Sequence, residues 1–259
     1  MIRVMILWGL GINCEEETES AYRLAGAHTT LVHVNELFNE KYRVHDFQLV
    51  HFPGGFSFGD HLGAGRVLAN RFRFKRTKKG TTFRQELMDF AHNGGFIFGI
   101  CNGFQILVSL GLLPGFSTDE SLVSLIHNQD GNFHDSWVSC RFVRESPVAH
   151  LWPYDEIYLP VRHGEGRLVV LNDSVKTAIK EQKLIAMTYV DDFNGSFEHC
   201  AALSDSRGRV LGMMPHPEAF LSPYNHPEWC GKKELPKAMG LMFFKNLVGC
   251  MGVSNAVAY

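Results

Sequence analysis

The length, composition and charge of the chain exclude several classes of protein. With 259 residues, 45% of them apolar and 20% charged, the sequence is long enough for a sizeable core and is ordinary for a soluble globular protein. No segment approaches the roughly 18 uninterrupted apolar residues of a membrane span, and a formal net charge of −2 argues against nucleic acid as the main partner.

The first half of the chain alternates short β-branched runs with helical segments. Strands are predicted at 3–8, 29–34, 47–52 and 96–100, and helices at 14–27, at about 82–93 and directly after residue 101. The N-terminal run lacks a small-residue cleavage site and is interpreted as a buried strand rather than as a signal peptide. Apolar strands separated by helices indicate a parallel sheet with helices on both faces.

The second half consists mostly of strands joined by short turns. They are predicted at 136–143, 156–161, 166–171, 183–190, 200–205 and 209–215, and they indicate an antiparallel extension of the sheet. The last apolar segment has a helical stripe that is expected to face the core, formed by Leu235, Met239, Met242, Phe243 and Leu247. Without a linker or a repeat, residues 1–259 are interpreted as a single domain.

The cysteines predict the compartment and point to one nucleophile. All six are scattered without a C-x-x-C pair or zinc-like spacing, so we expect no disulfides, no metal site and a cytoplasmic protein. Cys101 alone follows a buried strand and opens a helix, with Gly99 and Gly103 two residues to either side. This pattern is typical of a nucleophile elbow, where the helix dipole favours the thiolate. The alternative is a buried structural cysteine beside incidental glycines.

Two backbone N–H groups are candidates for an oxyanion hole. The N–H of Asn102 follows the nucleophile directly, and a second donor is expected from a different loop. The segment HFPGGFSFGDHLGAG at 51–65 follows the third strand, and its glycines let the backbone approach a ligand closely, so Gly55 is the predicted second donor. Alternatively, these glycines serve only a turn.

The tripeptide His-Pro-Glu occurs twice, at 216–218 and at 226–228. In an extended segment residues i and i+2 point to the same side, so either copy can orient an imidazole with a carboxylate. His216 follows an apolar strand, where catalytic side chains collect in α/β sheets, whereas His226 lies in a polar stretch rich in proline and glycine. We therefore predict His216 as the acid/base and Glu218 as its partner, and we interpret the second copy as a loop.

Several motifs, in order, resemble a known family. The segments GICNGFQ, PGGFSFGD, HGEGR at 163–167 and GMMPHPE are similar to those of the class I glutamine amidotransferases, within them the glutaminase subunits of phosphoribosylformylglycinamidine synthase in purine biosynthesis. The resemblance extends from about residue 4 to residue 220. It implies a flavodoxin-like α/β fold, with a mostly parallel central sheet, helices on both faces and an antiparallel extension.

The resemblance also implies roles for residues. Cys101 would be the nucleophile, His216 the acid/base and Glu218 its orienting partner. Gly55 and Asn102 would be the oxyanion donors, and Gln105 would help to bind L-glutamine. The implied partner is a synthetase subunit that uses formylglycinamide ribonucleotide, ATP and magnesium, with or without a third small subunit. No cofactor is expected on this chain, since it has no phosphate-binding G-x-x-x-x-G-K-[ST] motif. His163, Glu165 and Arg167 would lie near the mouth of the site or at a subunit interface.

Three features depart from the family pattern, and two other functions remain open. Ala219 stands where the family often has arginine, a basic insertion occupies about 71–84, and the tail at about 220–259 is expected to extend beyond the usual end of the family. The insertion is interpreted as a solvated loop, as a docking element for an acidic synthetase surface or, last, as a nucleic-acid contact. The alternative functions are a stand-alone cysteine hydrolase of amide or γ-glutamyl bonds and a catalytically silent glutamine-binding subunit.

Overall fold

A computed structural model describes residues 1–59, 61–116, 121–230 and 234–256, so Asp60 of the PGGFSFGD motif lies outside the described residues. The strands are β1 Arg3–Trp8, β2 His28–His33, β3 Leu49–Phe52, β4 Phe96–Ile100, β5 Val123–Ile126, β6 His134–Phe142, β7 Glu156–His163, β8 Arg167–Val170, β9 Ile185–Tyr189, β10 Cys200–Ser204 and β11 Val210–Met213. The helices are α1 Glu15–Leu24, α2 Val34–Phe38, α3 Arg66–Phe74, α4 Phe83–His92, α5 Asn102–Ser109, α6 Asp173–Glu181 and α7 Met239–Ala256.

A nine-stranded sheet forms the centre of the fold, with the strand order β2-β1-β3-β4-β11-β10-β9-β6-β7. Its first five strands are parallel, and the pairs from β11 through β7 are antiparallel. Every residue of β3, β4, β10 and β11 is buried, as expected for strands covered on both faces. The predicted flavodoxin-like α/β fold with an antiparallel extension is confirmed.

Some elements differ from the sequence predictions. Helices α2, α3 and α6 and strand β5 were not predicted, and β8 pairs with β5 in a separate two-stranded sheet instead of extending the main one. Helix α2 has only five residues, and β5 only four, so each is too short for its hydrophobic pattern to stand out from the neighbouring sequence.

The basic segment 71–84 is largely ordered by its own arginines. Residues 71–74 form the last turn of α3, and α4 begins at Phe83 with a capping box on Thr82. The guanidinium of Arg71 donates to Asn35 Oδ1 at 2.9 Å, and that of Arg73 donates to the Ser109 carbonyl at 2.7 Å. The interpretation of this segment as a solvated loop is therefore wrong for its first turn, since these charges are used within the chain.

The C-terminal tail packs directly behind the His216 segment. Helix α7 begins at Met239, so Leu235 lies outside it and is exposed, contrary to the predicted stripe. A Cβ on Gly240 would lie 1.9 Å from the Pro217 carbonyl oxygen, and the N–H of Leu241 donates to the Phe220 carbonyl at 3.2 Å. Phe243 is fully buried. Helix α7 therefore supports the candidate site and contributes to the core.

None of the helices in the described part of the chain combines the length and the apolar character needed to cross a membrane.

Candidate active site

Cys101 lies in a tight turn between β4 and α5. Its backbone has φ 51° and ψ −106°, a region that residues other than glycine rarely adopt and that is typical of functional sites. A Cβ on Gly99 would lie 2.6 Å from the carbonyl carbon of Gly103, and one on Gly103 would lie 1.9 Å from the Phe52 carbonyl oxygen. Both flanking glycines are thus required by close packing of the helix against β3 and β4.

The two predicted oxyanion donors belong to adjoining loops. Asn102 is the first residue of α5, where a backbone N–H has no intrahelical partner. Its side-chain Oδ1 accepts from the N–H of Ser57 at 3.1 Å, which ties the loop after β3 to the nucleophile turn. Gly55 in that loop has φ 143°, and a Cβ there would lie 2.6 Å from the Gly11 carbonyl oxygen. The structure therefore brings the loop of Gly55 beside Asn102.

His216 and Glu218 form a buried pair just past the end of β11. The imidazole Nδ1 lies 2.6 Å from Glu218 Oε1, and the two residues are 2% and 3% exposed. The N–H of His216 donates to the Pro160 carbonyl at 2.8 Å, which fixes the segment against β7. Ala219 closes the short 3-10 turn that begins at Pro217.

The surroundings of His216 favour its protonated form. Burial alone lowers the pKa of the imidazole, but the negative charge of Glu218 and the contacts with Cys101 and Cys14 outweigh burial, so the pKa stands well above its ordinary value. Cys101 Sγ also lies 3.5 Å from the Arg162 carbonyl oxygen at the end of β7. The structure thus brings the predicted nucleophile, acid/base and orienting carboxylate into one buried cluster.

The second His-Pro-Glu copy has a different environment. The His226 ring packs among Trp137, Tyr158 and Phe220, with centroid distances of 5.5, 5.6 and 5.8 Å. Its Nδ1 accepts from the backbone N–H of Glu228 at 3.1 Å, and the Glu228 side chain is exposed. His226 therefore anchors its loop in an aromatic cluster, a role that the polar sequence around it did not indicate.

Gln105 is held in place by its own chain. Its Oε1 accepts from Asn102 Nδ2 at 2.9 Å, and its Nε2 donates to the Glu165 carbonyl at 2.7 Å. A cavity of about 240 Å³ adjoins it, lined in part by Arg66, Arg73 and Glu165. The HGEGR turn predicted near the mouth of the site is therefore in contact with Gln105.

His163 within that turn has a structural environment. The ring is 2% exposed, its Nδ1 lies 3.0 Å from Asn128 Oδ1, and burial lowers the pKa of the imidazole to about 3. A Cβ on Gly166 would lie 2.3 Å from this ring, so the glycine of the turn makes room for it. The neutral His163 thus fixes the HGEGR turn.

Sequence reasoning missed three polar residues on α1. Cys14 at the N-cap, Thr18 and Tyr22 follow one another at intervals of four, and Thr18 and Tyr22 are fully buried. Cys14 interacts with His216, and Tyr22 lies within electrostatic range of Glu218. Polar residues on the buried stripe of an amphipathic helix were the signal that could have identified them.

Comparison with known proteins agrees with this geometry. Residues 1–249 match the CobB/CobQ-like glutamine amidotransferase domain. A relative from Dehalococcoides mccartyi, described as phosphoribosylformylglycinamidine synthase subunit PurQ, is 39% identical over 95% of this chain and 96% of its own. A Methanococcus maripaludis protein with the same description is 36% identical over the same shares. The tail after residue 220 therefore does not extend beyond the family, contrary to expectation.

Solved structures show the same fold. A chain in the structure of PurLQS from Thermotoga maritima aligns with a TM-score of 0.72 and 27% identity, over 97% of this chain and 100% of that one. The glutaminase domain of Trypanosoma brucei CTPS aligns with a TM-score of 0.54 and 15% identity, over 96% and 94% of the two chains, which is a likeness of fold alone. With the family match over nearly its whole length, this chain belongs to the CobB/CobQ-like glutamine amidotransferases.

Proposed function

We propose that this chain is the glutaminase subunit of phosphoribosylformylglycinamidine synthase, which hydrolyses L-glutamine and supplies ammonia to a synthetase subunit in purine biosynthesis. The observation that carries the chemistry is the buried His216–Glu218 pair, joined at 2.6 Å, beside a cysteine in a strained turn at a helix N-terminus. The description of the relatives as PurQ subunits, over 95% of this chain, supports the choice of this synthase.

The first half of the reaction forms a thioester. The Cys101 thiolate attacks the carboxamide carbon of glutamine, and the carbonyl electron pair moves to the oxygen, where the N–H groups of Asn102 and Gly55 stabilise it. As the tetrahedral intermediate collapses, protonated His216 gives its proton to the departing nitrogen, which leaves as ammonia. The raised pKa of His216 keeps this proton available at neutral pH.

The second half releases glutamate. Neutral His216 takes a proton from water as the water attacks the thioester, and the same two N–H groups stabilise the second oxyanion. Collapse of that intermediate breaks the carbon–sulfur bond and returns Cys101 to the thiolate. Glu218 holds the imidazole in one orientation throughout, because its carboxylate is fixed on Nδ1.

The partner completes the synthase. The name PurLQS of the Thermotoga maritima structure denotes an assembly, and one of its chains aligns with 97% of the present chain. This likeness supports a heteromeric complex for this protein. The ATP and magnesium of the amidine-forming step are assigned to the synthetase subunit, and this chain is assigned none of its own. Lys75, Lys78 and Lys79 are exposed on the basic segment and are the residues there that remain candidates for docking on an acidic surface.

A glutaminase assay of alanine variants tests the assignment. Release of ammonia from glutamine is measured for the wild type, Cys101→Ala, His216→Ala and His226→Ala, each with and without the synthetase subunit. Cys101→Ala and His216→Ala are expected to lose activity by at least about 10³-fold, as when members of such a triad are removed. His226→Ala is the matched control and is expected to retain turnover, with lower stability because its ring leaves an aromatic cluster.

The same assay separates the alternatives. A stand-alone hydrolase would show full activity without the synthetase subunit, whereas an amidotransferase subunit is expected to be activated by it. A silent glutamine-binding subunit would neither release ammonia nor be labelled at Cys101 by an electrophilic glutamine analogue. Loss of activity in His226→Ala with retention in His216→Ala would refute the proposed site.

A further inference from the structure

A second thiol lies beside His216. Cys14 Sγ, one imidazole nitrogen of His216 and a carboxylate oxygen of Glu218 all lie within 4.8 Å of one another. A Cβ built on Gly54 would lie 3.1 Å from the Cys14 sulfur and 2.8 Å from His216 Cε1. Both side chains therefore pack against the same glycine, whose lack of a side chain leaves room for them. In the described part of the chain this is the one cluster of three such side chains with ligand atoms so close.

The donor atoms of this cluster have unused capacity. His216 Nε2 and Glu218 Oε2 are buried, and among the described residues neither makes a contact that has hydrogen-bond geometry, although the thiols of Cys101 and Cys14 lie near the imidazole. Cys14 is only partly buried, unlike His216 and Glu218, so it forms the side of the cluster nearest to solvent. The proposed glutaminase reaction uses His216 and Glu218 but has no step for Cys14, and the presence of its thiol at this position therefore calls for another explanation.

We propose that Cys14, His216 and Glu218 form a binding site for Zn²⁺ or a similar thiophilic divalent cation, and that the bound cation stops glutamine hydrolysis. Thiolate, imidazole and carboxylate are the three ligand types of zinc, at about 2.3, 2.0 and 2.1 Å, and water completes a tetrahedral site. The thiolate selects against magnesium and calcium, which prefer oxygen ligands. The expectation of no metal rested on the absence of a local spacing motif, whereas these ligands come from opposite ends of the chain.

The required rearrangement is small. Two ligands of one tetrahedral zinc ion lie about 3.3–3.8 Å apart. All ligand atoms of the cluster lie within 4.8 Å of one another, so no pair must approach by more than about 1.5 Å. Rotation of the partly exposed Cys14 side chain provides such a movement, and the Nδ1–Oε1 contact at 2.6 Å must open. The thiol proton of Cys14 and the proton shared by His216 and Glu218 leave to solvent as the ion binds.

Zinc binding is tested on protein that cannot turn over. Cys101→Ala is titrated with Zn²⁺ against a chromophoric chelator in thiol-free buffer, and it is expected to bind one equivalent. Outer-shell partners alone are worth about 10- to 100-fold in metal affinity, so adding Cys14→Ala to this variant is expected to weaken binding at least about 10-fold. Adding Cys230→Ser instead removes an exposed thiol and is expected to leave the affinity unchanged.

Inhibition is tested on the otherwise wild-type protein. Glutaminase activity is measured against Zn²⁺ concentration for the wild type, Cys14→Ser and Cys230→Ser, each normalised to its own rate without metal. The Cys14→Ser curve is expected to shift at least about 10-fold to higher Zn²⁺, with inhibition of the wild type reversed by chelator. Cys14→Ser keeps the size of the side chain, so it serves where Cys14→Ala does not fold.

The outcomes separate the two proposals. The inhibitory effect rests on the proposed glutaminase function, but the affinity measured on Cys101→Ala does not depend on any activity. Equal Zn²⁺ affinity with and without Cys14, or no Zn²⁺ bound by Cys101→Ala, would overturn the site. An inactive wild type that still binds Zn²⁺ through Cys14 would contradict the function and leave the metal site standing.

Discussion

At Gly103 the fold leaves no space for a side chain, and this residue decides the geometry of the nucleophile. A Cβ there would lie 1.9 Å from the Phe52 carbonyl oxygen, so Gly103→Ala must push α5 away from β3. We expect the free energy of unfolding to fall by about 1–3 kcal/mol, as in overpacked cores. Glutaminase activity is expected to fall further than stability explains, because the same shift moves Cys101 and the Asn102 N–H. Chemical denaturation and the ammonia-release assay measure the two effects.

The same substitution in α7 provides the control. A Cβ on Gly249 meets nothing within 4 Å, and the residue is exposed. Gly249→Ala is expected to raise the free energy of unfolding by about 0.5–1 kcal/mol and to leave activity unchanged, because alanine is the better helix former. A Gly103→Ala protein with wild-type activity would show that the nucleophile turn tolerates a side chain.

Individual residues were predictable from sequence where a local pattern surrounded them. Cys101 stood between two glycines at the end of an apolar run, and His216 followed another apolar run, so both were placed by strand ends alone. No local sequence pattern marked Cys14, because its proximity to His216 depends on how α1 packs on the segment after β11. The burial of His226 likewise depends on Trp137 and Tyr158, two side chains from distant strands.

Helix α3 illustrates an element whose charge pattern misled the sequence analysis. Arg73 lies near its C-terminus and donates to the Ser109 carbonyl at the end of α5, at 2.7 Å. Arg73→Met is expected to lower the free energy of unfolding by about 1–2 kcal/mol, less than the full value for a charged donor because the side chain is only partly buried. Thermal or urea unfolding measures this loss.

Lys79 in the same basic segment is the matched control. Its side chain is exposed, so Lys79→Met is expected to change the free energy of unfolding by less than about 0.5 kcal/mol. Equal stability of Arg73→Met and Lys79→Met would mean that the segment is solvated in solution, as first interpreted. If Arg73→Met alone is destabilised, Arg73 stabilises the packing of α3 against α5, and the exposed lysines of the segment remain the candidates for contact with a partner.

Elements that lie within a continuous apolar run were predicted, whereas several short or polar elements were not. Strands β1, β4 and β10 match their predicted ranges to within a residue, because each is a continuous apolar or β-branched run. Helix α6 has a clear Asn172 cap but only two buried residues, so its sequence shows little more than a polar connection. The parallel core was thus visible in sequence, while the short covering elements were fixed by packing.

At the scale of the whole molecule, topology brings together what sequence keeps apart. The order β3-β4-β11 places the ends of three parallel strands side by side, and the loops that follow them carry Gly55, Cys101 and His216. No spacing rule predicts that β11 inserts beside β4, since β5 to β10 intervene in the chain. The resemblance to a family implied this proximity. The residues alone indicated only that Cys101 and His216 each follow a strand, and that the two strand ends meet was a hypothesis.

The tightly packed sheet also buries histidines whose titration opposes folding. His51 on β3 is fully buried, and burial lowers the pKa of its imidazole from 6.5 to about 3. Its Nδ1 lies 2.9 Å from the Tyr22 hydroxyl, and burial is the cause of the lowered pKa. Because the folded-state pKa lies below the unfolded value, the unfolded chain binds the extra proton, and stability falls as the pH drops from about 6.5 towards 3.

This burial predicts a specific pH dependence of stability. Between pH 7 and pH 5, His51 is expected to account for about 2 kcal/mol of the loss in the free energy of unfolding. His51→Gln removes that contribution, so its loss between the two pH values is expected to be about 2 kcal/mol smaller than that of the wild type, whatever the variant costs at pH 7. Tyr22→Phe breaks the same hydrogen bond but keeps the imidazole, so it is expected to retain the wild-type pH dependence. Urea unfolding of the three proteins at pH 7 and pH 5 measures how far the free energy of unfolding falls between the two pH values. An equal fall for His51→Gln and Tyr22→Phe would show that His51 is not a neutral buried group.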